Sequence, residues 1–181
     1  MSEIILGFDV SSTCIGYSVF EIDNKNIKFI SCNYIKPTKD GNIIERISKT
    51  RDEINKIIQK VKPNHIAIED IISFMAGGST AKTIITLTTF NRMVCLLAMD
   101  YLKKPPYLYS VMTIRSNLKK NLNLKNQPKK EDIPETLEKI LNITFPWELN
   151  KKGAEKKENY DMADSMAVAY CCATNIIKNG K

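Results

Sequence analysis

The chain has 181 residues, 27 Lys+Arg against 20 Asp+Glu, and a formal net charge of +7. A chain of this length is expected to form one domain spanning 1–181, burying roughly 70% of its unfolded surface. No apolar run of membrane-spanning length, signal peptide or basic amphipathic helix with an aromatic face is recognised, so a membrane role is not expected. An anionic partner such as nucleic acid suits the charge better. The five cysteines (Cys14, Cys32, Cys95, Cys171 and Cys172) lack Cys-x-x-Cys spacing and mostly lie in apolar stretches. They read as reduced, buried thiols of a cytoplasmic protein, a viral protein acting in its host cell included. One histidine, His65, leaves little scope for most zinc sites or a Ser-His-Asp triad, and is expected to be structural.

Residues 3–10 are nearly all apolar, as in a central strand covered on both faces. A Ser-Ser-Thr turn leads to a second strand over 16–22, and the polar turn 23–26 to a third over 27–34, giving an antiparallel meander. Apolar positions 43, 44, 47, 54, 57, 58 and 61 predict an amphipathic helix from Asn42 to Lys62, stopped by Pro63. A strand over 65–70 and a Gly77-Gly78 loop follow. The segment 79–102 is apolar on more than one face, so its helix should be buried in the core or against a second subunit. Tyr107–Val111 predicts a short strand, 115–130 a polar basic segment, 131–141 a helix, 149–159 a charged loop and 160–177 a final helix. This order predicts an α/β fold with a mixed five-stranded sheet, its N-terminal meander joined to parallel strands, flanked by helices.

Within that frame, three segments each deliver acid to the end of an element. Asp9 ends the first strand, Glu69 ends the 65–70 strand, and Asp161 and Asp164 open the last helix. Unpaired buried charge is costly, and carboxylates are hard oxygen ligands suited to Mg²⁺. Two ions about 4 Å apart can activate water and stabilise a leaving oxygen of a phosphodiester. Spacing of three puts Asp161 and Asp164 on one helical face, about 5–6 Å apart at Cβ. Each acid alone has an ordinary reading: favourable charge in a first helical turn for Asp161 and Asp164, local turn hydrogen bonds for Asp9. Together they are better explained by a metal cluster. Alternation places Asp9 with Ile5 and Gly7, and Glu69 with Ala67, while Asp70 points the other way. Glu69 is therefore favoured over Asp70, with Gly7 and Ala67 expected to leave room around the site.

The stretches Ile-Leu-Gly-Phe-Asp-Val-Ser-Ser-Thr-Cys-Ile-Gly-Tyr-Ser-Val, Ile-Ala-Ile-Glu-Asp and Tyr-Asp-Met-Ala-Asp-Ser-Met-Ala-Val-Ala resemble the RuvC family of Holliday-junction resolvases. The resemblance spans nearly the whole chain. It implies an RNase H-like fold and a homodimeric endonuclease that resolves four-way DNA junctions by paired nicks leaving 5′-phosphates. It matches Asp9, Glu69, Asp161 and Asp164 to the family's catalytic, metal-binding acids. Mg²⁺ is the implied cofactor, two per site, with Mn²⁺ as an acceptable substitute. The apolar helix near 80–102 would be the dimer contact. Arg115 falls where the family carries a lysine, keeping charge but changing geometry, and Lys130 matches a second family lysine. Phe74 lies in the loop where the family has a junction-wedging aromatic, further from the Glu than usual; a buried loop Phe is the alternative.

Residues 115–130 carry Arg115, Lys119, Lys120, Lys125, Lys129 and Lys130 without an acid among them. A charge run is often a solvated face, but one sign alone invites phosphate, so Arg115, Lys119, Lys120, Lys129 and Lys130 are the DNA-binding candidates. Competing readings are a phosphotransferase of the actin and sugar-kinase fold, a non-catalytic branched-DNA module, and a broader flap or RNase H-type nuclease. Seven glycines and no room for a second nucleotide-binding half weigh against the kinase.

Overall fold

Leu6, Phe8 and Val10 alternate with Ile5, Gly7 and Asp9 along the first strand, and the two sets face different layers. The protein is seen in a computed structural model that describes residues 2–71 and 80–180. Strands β1 (Glu3–Val10), β2 (Ile15–Asp23) and β3 (Asn26–Ile35) form the antiparallel meander. Strands β4 (His65–Glu69) and β5 (Tyr107–Tyr109) add on in parallel, giving the order β3-β2-β1-β4-β5. The mixed five-stranded sheet expected from the element order is present.

Helices α1 (Ile43–Val61) and α2 (Ala81–Leu102) cover one face, where Ile54, Ile58, Phe90, Val94 and Ala98 meet Leu6, Phe8, Ile66 and Ile68. Burying side chains of this size contributes roughly 1.5–3 kcal/mol each. Asn42 opens α1 through a capping box with Glu45, and Lys62 ends it in the left-handed region just before Pro63. On the other face lie α3 (Val111–Asn121), α4 (Ile133–Leu141), preceded by a 3₁₀ turn (Lys130–Asp132), and α5 (Glu158–Asn179). Between Met162 and Thr174 only Asp164 retains appreciable solvent access. No helix among the described residues is long and apolar enough to cross a membrane.

The chain departs from the sequence reading mainly after Tyr109. The predicted strand to Val111 stops at Tyr109, because Ser110 caps a helix by accepting a hydrogen bond from the Thr113 amide at 3.2 Å. The first part of the basic segment is thus helical. Ile114 and Leu118, four apart, are buried on one side of α3 while Lys119 and Lys120 lie at its C-terminal end, where positive charge is favourable. The final helix also starts earlier, at Glu158, so Asp164 sits in its second turn. His65 bonds Glu3 through Nε2 at 3.1 Å, consistent with a structural role.

Candidate active site

Parallel pairing of Gly7 with Ala67 and Phe8 with Ile68 carries Asp9 and Glu69 side by side to the ends of β1 and β4. On the other flank of β1, Asp9 pairs with Gly16 of β2. A Cβ at Gly16 would overlap the Asp161 carbonyl, so the bare glycine is what lets the start of α5 close over Asp9. Ser18 reinforces the approach by donating its hydroxyl to the Ser165 carbonyl at 2.9 Å.

Gly7 has a different use from the one expected. A Cβ there would stand 2.7 Å from both the Ala169 Cβ and the Ser165 carbonyl oxygen, and Ala67 belongs to the same buried layer. The small residues make room for α5, not for an open site. The helix then delivers Asp161 and Asp164 to the end of the sheet.

Asp9, Glu69 and Asp164 line one cleft of about 150 Å³ with Arg115, Lys130, Val111, Ile114 and Ile133. Asp161 stands at its margin. Lys130 joins the two helical acids: its Nζ lies 3.0 Å from Asp164 Oδ2 and 3.4 Å from Asp161 Oδ1. Of the remaining basic candidates, Lys119 is half-buried and Lys120 and Lys129 are exposed, none of them lining this cleft. Lys120 borders a separate groove between α3 and α5, with Asn117, Gln127 and Asn175. Phe74 lies outside the described residues.

The electrostatics show how crowded the acids are. Burial raises the Asp9 carboxyl well above the usual range, and Glu69, Asp164 and Asp161 raise it further. Asp9 nevertheless keeps partial solvent access at the cleft floor, which tempers the cost of ionising it. Glu69 is pushed to about 7 by burial and by Asp164, with Lys130 and Arg115 pulling the other way. Burial likewise raises Asp164, against Lys130. For Lys130 burial acts to lower the value, but Asp164, Asp161 and Asp9 outweigh it and hold the ammonium charged.

Fully ionised, the four carboxylates would outnumber the positive charges of Lys130 and Arg115 by two. All the acidic donors are hard oxygens, so the set suits a divalent cation of the Mg²⁺ type. As placed, no three acidic, cysteine or histidine side chains among the described residues close tightly enough to share one ion; the Lys130 ammonium supplies the local counter-charge instead.

Two contributors escaped the sequence reading. Asn91, buried in α2, donates its side-chain amide to the Glu69 carbonyl at 2.9 Å and so fixes the end of β4. Its signal was a lone amide inside an apolar helix. Gly16 is the other, and only its placement opposite Asp9 explains it. Asp70, as alternation indicated, turns away to α2 and pairs with Arg92 at 3.1 Å.

A family model described as crossover junction endodeoxyribonuclease RuvC matches residues 5–172. The crossover junction endodeoxyribonuclease RuvC of Pseudothermotoga lettingae is 28% identical over 175 residues, covering 96% of this chain and 96% of its own. That of Fusobacterium nucleatum is 26% identical over 172 residues, covering 95% of this chain and 79% of its own. Among solved structures, T. thermophilus RuvC in complex with Holliday junction substrate superposes with a TM-score of 0.70. That match covers 98% of this chain and 96% of the other at 16% identity, and it speaks for the fold.

Proposed function

This chain belongs to the RuvC family, and from that premise we propose that it is a divalent-metal-dependent endonuclease resolving four-way DNA junctions by paired nicks that leave 5′-phosphates. The observation that carries the reading is the convergence of Asp9, Glu69 and Asp164 on one cleft walled by Arg115 and Lys130. Asp9, Glu69, Asp161 and Asp164 would hold two Mg²⁺ ions, with Mn²⁺ an acceptable substitute. Ions bound there supply an activated water and stabilise the leaving oxygen of the phosphodiester. Arg115 and Lys130 face the same space and offer positive charge to the phosphate oxygens, holding the scissile group over the acids. Lys119, Lys120 and Lys129 lie further out and would grip neighbouring phosphates without reading sequence.

Paired nicks require two sites, and the outward face of α2 supports a homodimer. Ile85, Leu96 and Met99 are well exposed there, on the side away from Phe90, Val94 and Ala98. The decisive experiment is cleavage of matched four-way, three-way, flap and linear duplex DNAs with Mg²⁺, by wild type and Asp9→Asn. Nicking of the four-way junction by wild type alone is expected. Equal cutting by Asp9→Asn would refute the role of the acids. Equal cutting of linear and branched DNA would replace the junction reading with that of a broader nuclease.

A further inference from the structure

A second and larger cleft, of about 540 Å³, lies between the segment after β3 and the start of α5, with Asp161 in its wall. We propose that this cleft is a second DNA track: Lys39 and Lys157 hold the sugar-phosphate backbone on the side of the cut opposite to α3. The inference rests on the nuclease reading and extends it to residues outside the basic run 115–130.

Three observations carry it. Asp161 is shared: it lines this cleft, and its carboxylate meets Lys130 at the edge of the acid site. Asp161 thus stands between the two clefts, and in the proposal a strand crossing the acids continues past it into the second. A scissile phosphate has neighbours in both directions, and the lysines of α3 line neither the acid cleft nor this one.

The second observation is charge. Lys36, Lys39 and Lys157 line the cleft against Glu158 and Asp161. Lys36 is paired with Glu158, which leaves Glu158 neutralised. Lys39 and Lys157 are exposed, and neither lies within salt-bridge distance of a carboxylate among the described residues. Two uncompensated ammonium groups beside a cleft that ends on acids suit a polyanion whose reacting phosphate sits at those acids.

The third is preorganisation. The segment 36–39 is pinned to α1, because Arg46 donates through Nε to the Thr38 carbonyl at 2.7 Å. Its Nη2 donates to the Ser12 carbonyl at 2.8 Å, so one guanidinium fixes both loops that shape this cleft. Thr38 in turn accepts the Asp40 amide at 3.1 Å. Lysines on a braced segment lose less freedom on meeting phosphate than lysines on a loose tail.

Salt-dependent binding to a four-way junction, measured in EDTA so that no cutting occurs, tests the proposal. Wild type would be compared with Lys39→Ala/Lys157→Ala, Lys39→Arg/Lys157→Arg and Lys119→Ala/Lys120→Ala. Each lost phosphate contact lowers the slope of log affinity against log salt by about 0.9. The Lys39→Ala/Lys157→Ala protein loses two contacts in each protomer, so the dimer should lose about 3.6 from the slope, and the arginine pair should restore it. Phosphate-ethylation interference should disappear on one side of the cut in this variant, and on the other side in Lys119→Ala/Lys120→Ala. An unchanged slope and interference pattern, beside wild type that nicks junctions normally, would overturn this inference alone. Wild type that neither binds nor nicks branched DNA would overturn the nuclease reading beneath it.

Discussion

Replacing Glu69 with Gln should stabilise the metal-free protein at alkaline pH, although it removes a residue of the acid site. The wild-type carboxyl is lifted from 4.5 to about 7 by burial and by Asp164. The native state therefore keeps a proton that the unfolded chain releases between those values. Its stabilising contribution is complete below pH 4.5 and is lost as pH rises through 7. A lift of that size corresponds to about 3 kcal/mol at most, because partial solvent access at the cleft reduces it. Gln keeps the shape without the charge. In EDTA at pH 8.5 the variant should exceed wild type by up to about 3 kcal/mol, or roughly 6–12 °C in Tm for a chain of this length. The gap should close by pH 4.5. Asp9 and Asp164 are raised too, so wild type itself should weaken as pH climbs. Urea unfolding followed by circular dichroism at pH 4.5, 6, 7 and 8.5 measures this directly. A gap independent of pH, or wild type gaining on the variant from pH 5 to 8, would refute the electrostatic reasoning. Adding Mg²⁺ at pH 8.5 should raise the Tm of wild type more than that of Glu69→Gln.

Gly16→Ala should push the start of α5 away from β2, costing about 1–3 kcal/mol as overpacking does and weakening the Mg²⁺-dependent rise in Tm; thermal scans with and without the ion read both effects. Asn91→Leu leaves the Glu69 carbonyl without its side-chain donor, so a loss of about 1–3 kcal/mol is expected in urea unfolding, with a lower nicking rate at saturating DNA. Leu96→Glu should leave the monomer folded and shift sedimentation from dimer to monomer, with junctions then nicked on one strand at a time.

The acids were legible because their signals are local. Period two separates Glu69 from Asp70, and a spacing of three ties Asp161 to Asp164; neither requires knowing what packs above. The meander and the helix after it were legible for a similar reason, since the meander turns and the Pro63 stop are short-range chemistry. α3 was hidden because Val111 reads as the end of a strand and Arg115, Lys119 and Lys120 as part of a basic segment, while only Ile114 and Leu118 are buried on its core side. Gly7 and Ala67 misled because a small residue in a strand looks the same whether it faces a ligand or a helix. The resemblance pointed to Lys130, but its bridging of Asp161 and Asp164 spans about thirty residues and exists only in the folded chain. The cleft between Lys39 and Lys157 joins still more distant segments and left no local trace.

The contact of Gly7 with Ala169 makes α5 a ruler laid against the sheet. Its zero mark is the close packing at Ala169 and Ser165, and Asp164 and Asp161 are graduations along it, set by a rise of about 1.5 Å per residue. Enlarging Ala169, deep in the interior and remote from solvent, would slide the scale and displace both acids together. In this protein stability and reactivity are inherited along the same helix, and adjustments to one will be felt by the other.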